Sequence, residues 1–145
     1  KNIPSLANKY YRNNKLTLSV QGLLLKSKYP ESKISVKNNR LIWYGEIKPT
    51  ALSRLYKIKI ICESGNNPKV FLYGNHIEGI ERTDFPHKYH KDEIKQEVQL
   101  CLNMPYEFNY SLRIIDTIIP WTQEWLYFYE IWLLTGEWLG GGHTP

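Results

Sequence analysis

Apolar residues recur at helical spacing at Leu16, Val20, Leu23 and Leu24, while Thr17, Gln21, Lys26 and Lys28 fall largely off that stripe. The pattern predicts an amphipathic first helix. It should end before Tyr29-Pro30, because proline restricts the residue ahead of it and cannot extend the hydrogen-bond ladder. The period then shortens to two. Residues 41–47, 55–63 and 69–73 have strand character, and in the middle segment Tyr56, Ile58, Ile60 and Cys62 share one face. Cys62 therefore reads as core. A short edge strand is expected around Ile34 and Val36, turning at Asn38-Asn39 into Arg40-Leu41. Lys48-Pro49-Thr50 and Ser64-Gly65-Asn66-Asn67-Pro68 carry turn chemistry, so an antiparallel meander of three or four strands follows.

After Tyr73 the periodicity dissolves. Residues 74–99 read as a long irregular connection with one short helical turn at 92–96; long loops in compact domains are often functional. This loop holds His76, His87 and His90 and delivers the chain to Cys101. The last third reads as helical. Leu112, Ile115 and Ile119 support a helix over 109–119, and Pro120 is expected to open another, with Trp121, Trp125, Phe128 and Trp132 on one face and Gly136 as its stop. Aromatic residues at that spacing read as core. Trp138 to His143 reads as a flexible tail. The fold class is α+β.

Composition bounds the function. A chain of 145 residues, 42% hydrophobic, suits a single domain over residues 1–145. Only Cys62 and Cys101 are present, which argues against a disulfide framework and fits a reducing compartment. No stretch approaches the roughly 20 apolar residues of a membrane span. A soluble cytoplasmic protein with no membrane partner is the expectation. The net charge of +5 is scattered over Lys9, Arg12, Lys15, Lys26, Lys28, Lys33 and Lys37 with no accompanying nucleic-acid motif, so nucleic acid is not an expected partner.

The candidate chemistry centres on Cys101, in Gln99-Leu100-Cys101-Leu102, preceded by Pro86-His87-Lys88-Tyr89-His90. A free thiol has a pKa of roughly 8.5 and is mostly protonated at neutral pH. An imidazole from His87 or His90 can stabilise the thiolate or move its proton, which covalent catalysis through a thioester requires.

The order of elements, a helix, a meander, a histidine-bearing loop, a cysteine and then helices, resembles the ubiquitin-conjugating enzymes. Pro68-Lys69-Val70-Phe71 is similar to that family's proline-valine-aromatic strand. The narrower resemblance is to the bacterial ubiquitin-conjugating-like proteins of type II cyclic-oligonucleotide-based antiphage signalling (CBASS) operons, in their stand-alone form. Trp43-Tyr44-Gly45, Pro49, Tyr56, Pro86-His87-Lys88-Tyr89-His90 and Leu100-Cys101-Leu102 carry it. So do Trp121-Thr122-Gln123-Glu124-Trp125-Leu126, Tyr129-Glu130-Ile131-Trp132-Leu133 and Thr135-Gly136-Glu137-Trp138.

The resemblance implies a ubiquitin-conjugating-like fold with Cys101 as the nucleophile. Cys101 would accept an acyl group from the thioester of an activating enzyme, dedicated or supplied by the host, and pass it to a protein lysine. In the antiphage systems the carried carboxylate is the C-terminus of a partner cGAS-like nucleotidyltransferase. No cofactor or metal is implied. If His90 takes the place of the family motif's histidine, the motif's asparagine falls on Asp92, whose carboxylate would repel an oxyanion. The donor is then His87, His90, Asn103 or backbone amides. Asp92, Glu93 and Glu97 are candidates to accept the amine's proton.

Other classes predict different behaviour. A binding module that only docks the nucleotidyltransferase would keep Cys101 packed and unreactive. A metal site would need His87, His90, Cys101 and Cys62 to converge. A cysteine-histidine hydrolase would release free acid without an acceptor.

Overall fold

The computed structural model describes residues 15–141; Lys9 and Arg12 of the scattered basic set and His143 of the tail lie outside the described residues. Helix α1 spans Leu18–Lys28. The Thr17 hydroxyl caps it by accepting the Val20 N–H at 3.1 Å, and it ends at Tyr29 ahead of Pro30. Its buried face differs from the expected stripe. Gln21, Gly22 and Leu25 are buried, whereas Leu23 is 71% exposed. Together with the partly buried Leu18, these residues follow the i, i+3, i+4, i+7 pattern. Two of them are not apolar, so the apolar stripe of the sequence does not mark the buried face. A Cβ at Gly22 would come within 2.8 Å of the Ile34 side chain, so glycine permits close approach to the sheet.

A six-stranded antiparallel sheet replaces the expected three- or four-stranded meander. In chain order the strands are β1 (Lys33–Lys37), β2 (Arg40–Ile47), β3 (Tyr56–Glu63), β4 (Lys69–Tyr73), β5 (Lys88–Asp92) and β6 (Glu97–Leu100). Their spatial order is β1-β2-β3-β4-β6-β5. Asn38 and Asn39, both at positive φ (55° and 58°), form the two-residue turn between β1 and β2. Register aligns Leu41 with Cys62, Trp43 with Ile60, Ile58 with Leu72 and Leu72 with Val98. All are buried, so one face of the sheet forms the core. The opposite face carries Lys59, which bonds Glu97 at 2.8 Å and lies over the Phe71 ring.

The supposed loop over 74–99 is ordered. Its first half lays Ile77, Ile80 and Phe85 into the core, and its second half is the β5–β6 hairpin. In place of the expected helical turn at 92–96, the hairpin turns there, with the Asp92 carboxylate accepting the Lys95 N–H at 2.9 Å. Charged and polar residues fill β5, which hides it from a search for apolar alternation.

The expected helix over 109–119 is absent. Asn109 accepts the Ser111 N–H at 2.9 Å, and only a short 3₁₀ turn, Ile114–Asp116, precedes the next helix. Helix α2 runs Ile118–Thr135, so Pro120 lies in its first turn instead of opening it, where no amide donor is needed. Gly136, at φ 78°, ends it. Trp125, Tyr129 and Trp132 face the core, while Trp121 and Phe128 are half-buried.

Gln21 is wholly buried and bridges the two ends of the fold: its amide donates to the Leu112 carbonyl at 2.8 Å and accepts the Ile114 N–H at 2.9 Å. Gln21→Leu should leave both backbone groups unpaired and cost about 2–4 kcal/mol, read as a lower urea midpoint. Ser19→Ala, on the exposed side of α1, should change stability by under about 0.5 kcal/mol.

Candidate active site at Cys101

Cys101 is the first residue after β6, and its position is fixed by backbone. Its N–H donates to the His87 carbonyl at 3.0 Å, closing the open end of the β5–β6 hairpin. The same carbonyl accepts the Trp125 indole N–H at 3.0 Å, which fastens the hairpin to helix α2. His87 adopts positive φ (43°), an uncommon conformation for a residue with a Cβ. Its ring stacks on Trp138, with centroids 4.7 Å apart.

The Cys101 side chain is 6% exposed and borders a cleft of about 520 Å³. His87, Asn103, Glu107, Glu124, Trp121 and Phe128 share that cleft. The fold thus places His87 and Asn103 on the same cleft as Cys101. Asn103 donates its side-chain amide to the Met104 carbonyl at 2.9 Å. His90 is placed differently. It pairs with Gln99 across the hairpin, on the solvent face of the sheet, and is exposed.

The acidic candidates lie at the far end of the hairpin. Asp92 pairs with Glu97, which lies four residues before Cys101 along β6, roughly 13 Å at strand spacing. Asp92 holds the turn and Glu97 is paired with Lys59, so both have structural partners. Cys62 is fully buried on the core face of β3. Among the described residues, no three histidine, cysteine or acidic side chains gather as a metal ion would require.

Sequence reasoning passed over Tyr89. Lys88 pairs with Leu100 and His90 with Gln99, so Tyr89 is the extra residue of a β-bulge. Burial, with a smaller contribution from Cys101, pushes the Tyr89 hydroxyl up to about 12. Burial raises the Cys101 thiol as well, and Tyr89 acts in the opposite direction. Glu107 and Glu124 also escaped notice, since nothing in their spacing links them to a cysteine elsewhere in the chain.

Residues 21–145 match the model of the family described as type II CBASS E2 protein, a span that takes in the whole sheet, Cys101 and helix α2. The chain belongs to the type II CBASS E2 family. No curated protein matches it. Membership connects this CBASS E2 protein to antiphage signalling, and the architecture is α+β, with an N-terminal helix, a six-stranded antiparallel sheet and a C-terminal helix. Among the described residues no helix is long and apolar enough to cross a membrane.

The two thiols should behave differently. Burial pushes the Cys62 thiol up to about 12. Because the fold favours the protonated thiol, the stability Cys62 contributes is complete below pH 9 and is lost as pH rises through about 12. Iodoacetamide should therefore modify Cys101 in the folded protein, slowly at pH 7 and faster as pH rises, and leave Cys62 intact until the chain unfolds. Peptide mapping after timed alkylation reads both rates; equal labelling of the two would contradict this assignment.

Proposed function

We propose that the chain works as a single ubiquitin-conjugating-like domain that carries an acyl group as a thioester on Cys101 and transfers it to an amine. The observation that carries the reading is the position of Cys101: a cysteine held by backbone on a cleft that is also lined by His87 and two glutamates. Membership of the type II CBASS E2 family supports it.

In the loading step the Cys101 thiolate attacks the thioester carbonyl of an activating enzyme. A new carbon–sulfur bond forms, the old one breaks, and the activating enzyme's thiolate leaves. The charges before and after are alike, so the exchange needs little assistance beyond thiolate formation. His87, on the same cleft, is the group that takes the thiol proton. In the second step an amine attacks the Cys101 thioester. A carbon–nitrogen bond forms, the Cys101 thiolate departs, and the proton of the amine passes to a base. Amine transfer is the more demanding step, because a lysine near pKa 10.4 must lose its proton and an oxyanion must be stabilised.

The cargo in this reading is the C-terminus of a cGAS-like nucleotidyltransferase, and the acceptor is a protein lysine. His87 is the first candidate for proton transfer. His90, on the solvent face, is assigned to the approach of a partner.

Burial of Cys101 and its raised pKa favour one competing reading, in which the domain only docks the nucleotidyltransferase. Coexpression separates the two. With nucleotidyltransferase and activating enzyme present, wild type should form an adduct that reductant cleaves, and Cys101→Ser should trap an ester that resists reductant. His87→Ala should slow transfer to lysine by about 10- to 100-fold while leaving the urea midpoint little changed. Absence of any adduct, together with antiphage protection unaffected by Cys101→Ala, would establish the docking reading instead.

A further inference from the structure

Beyond α2 the sequence reads as a flexible tail, yet its first residues are packed. Gly136 reverses the chain at positive φ, and the Thr135 hydroxyl accepts the Glu137 N–H at 3.1 Å, so the segment turns back onto the helix it has just left. Trp138 is half-buried there, its ring centroid 5.6 Å from that of Trp125 and 5.9 Å from that of Phe128. Its indole N–H is turned to its own chain, 3.5 Å from the Gly141 carbonyl. What Trp138 offers His87 is a ring face: the two rings lie 28° from parallel with centroids 4.7 Å apart.

Residues 138–141 also close the site. Gly140 and Gly141 line the cleft that Cys101 and His87 share. A Cβ at Gly140 would stand 2.8 Å from the Phe128 ring and 3.0 Å from the Trp138 indole nitrogen, so the segment lies against this aromatic wall only because that residue has no side chain. The hydrogen bonds from Cys101 and Trp125 to the His87 carbonyl act on its backbone. The Trp138 stack acts on its ring.

We propose that residues 138–141 form a strap that arms the Cys101 site, with Trp138 as a positioning residue: seated on Trp125 and Phe128, its indole holds the His87 imidazole at the cleft, and unseating the strap slows transfer without altering the thiol. This inference rests on the acyl-transfer reading, in which His87 moves the proton. In the discharge step the amine nitrogen bonds to the thioester carbon, the carbon–sulfur bond to Cys101 breaks, and the proton of the amine passes to the imidazole. A base displaced by about 1 Å loses much of its contribution to such a step. The strap makes the competence of the thiol depend on a part of the chain that carries no reacting group. A partner that engages residues 138–141 therefore regulates transfer while leaving Cys101 in place.

Chemical loading tests the strap without the cargo or its activating enzyme. A short synthetic peptide ending in glycine, supplied as its mercaptoethanesulfonate thioester, exchanges onto Cys101 and releases mercaptoethanesulfonate. Free lysine is then added, and loss of the loaded species is followed by intact mass. Trp138→Leu and Gly140→Val unseat the strap in different ways, and each should discharge about 10-fold more slowly than wild type. Trp138→Phe keeps a ring that can stack and should recover most of the rate. In a His87→Ala background neither strap substitution should slow discharge further, because both act through the imidazole; a purely structural residue would slow both backgrounds alike. The His87 Cε1 proton reads the contact directly, and NMR should find it upfield in wild type and shifted back in Trp138→Leu. Wild-type discharge by either strap variant, equal slowing with and without His87, or a His87 proton that does not move overturns the proposal while the acyl-transfer reading stands. Discharge of His87→Ala at the wild-type rate, or a wild-type protein that does not load, overturns that reading and the strap together.

Discussion

One carbonyl oxygen sets the geometry of the site. The His87 oxygen accepts two hydrogen bonds, one from the Cys101 amide and one from the Trp125 indole. The first joins the open end of the β5–β6 hairpin, and the second joins that hairpin to the helix packed beside it. Positive φ at His87 costs on the order of 1 kcal/mol and is sustained only where the surroundings hold it. The two donors, with the Trp138 ring stacked on the imidazole, supply that hold. Cys101, His87 and the cleft they both line therefore belong to one hydrogen-bonded junction, as a nucleophile needs if its partner groups are to be in place before substrate arrives.

The fold was legible where local chemistry and burial agree. The β3 alternation and the Asn38-Asn39 turn announce strands and a hairpin directly, because one face of the sheet is core and the turn needs residues that tolerate positive φ. It was illegible where a buried position is not apolar. Gln21 and Gly22 lie on the inner face of α1, one for its amide and the other for its missing side chain, and their presence shifts the apparent stripe onto exposed Leu23. Residues 109–117 contain leucine and isoleucine at helical spacing, yet the Asn109 side chain bonds the backbone of Ser111 and the Ile114 amide goes to Gln21. Periodicity registers neither competing bond.

The site followed the same division. Cys101 and His87 could be picked out because few residue types perform thiol chemistry and both occur near one another in the chain. The function of their neighbours depended on pairing register, which no local pattern reveals. Register sends His90 to the solvent face, takes Asp92 to the far end of the hairpin, and leaves Tyr89 as a bulge between two ladder pairs. The carboxylates of the cleft arrive from separate parts of the chain, Glu107 from a 3₁₀ turn and Glu124 from α2. Only the closed fold brings them to the cleft that Cys101 lines.

The bulge at Tyr89 has a consequence for how such a site can vary. Every ladder pair on either side of it is complete without that residue, so a chain one residue shorter at this point would keep the faces of His90, Lys91 and Asp92 unchanged. Elsewhere in the sheet a one-residue deletion would turn core side chains outward. The bulged residue thus sits at a place where length and side chain are exchangeable independently of the hydrophobic interior.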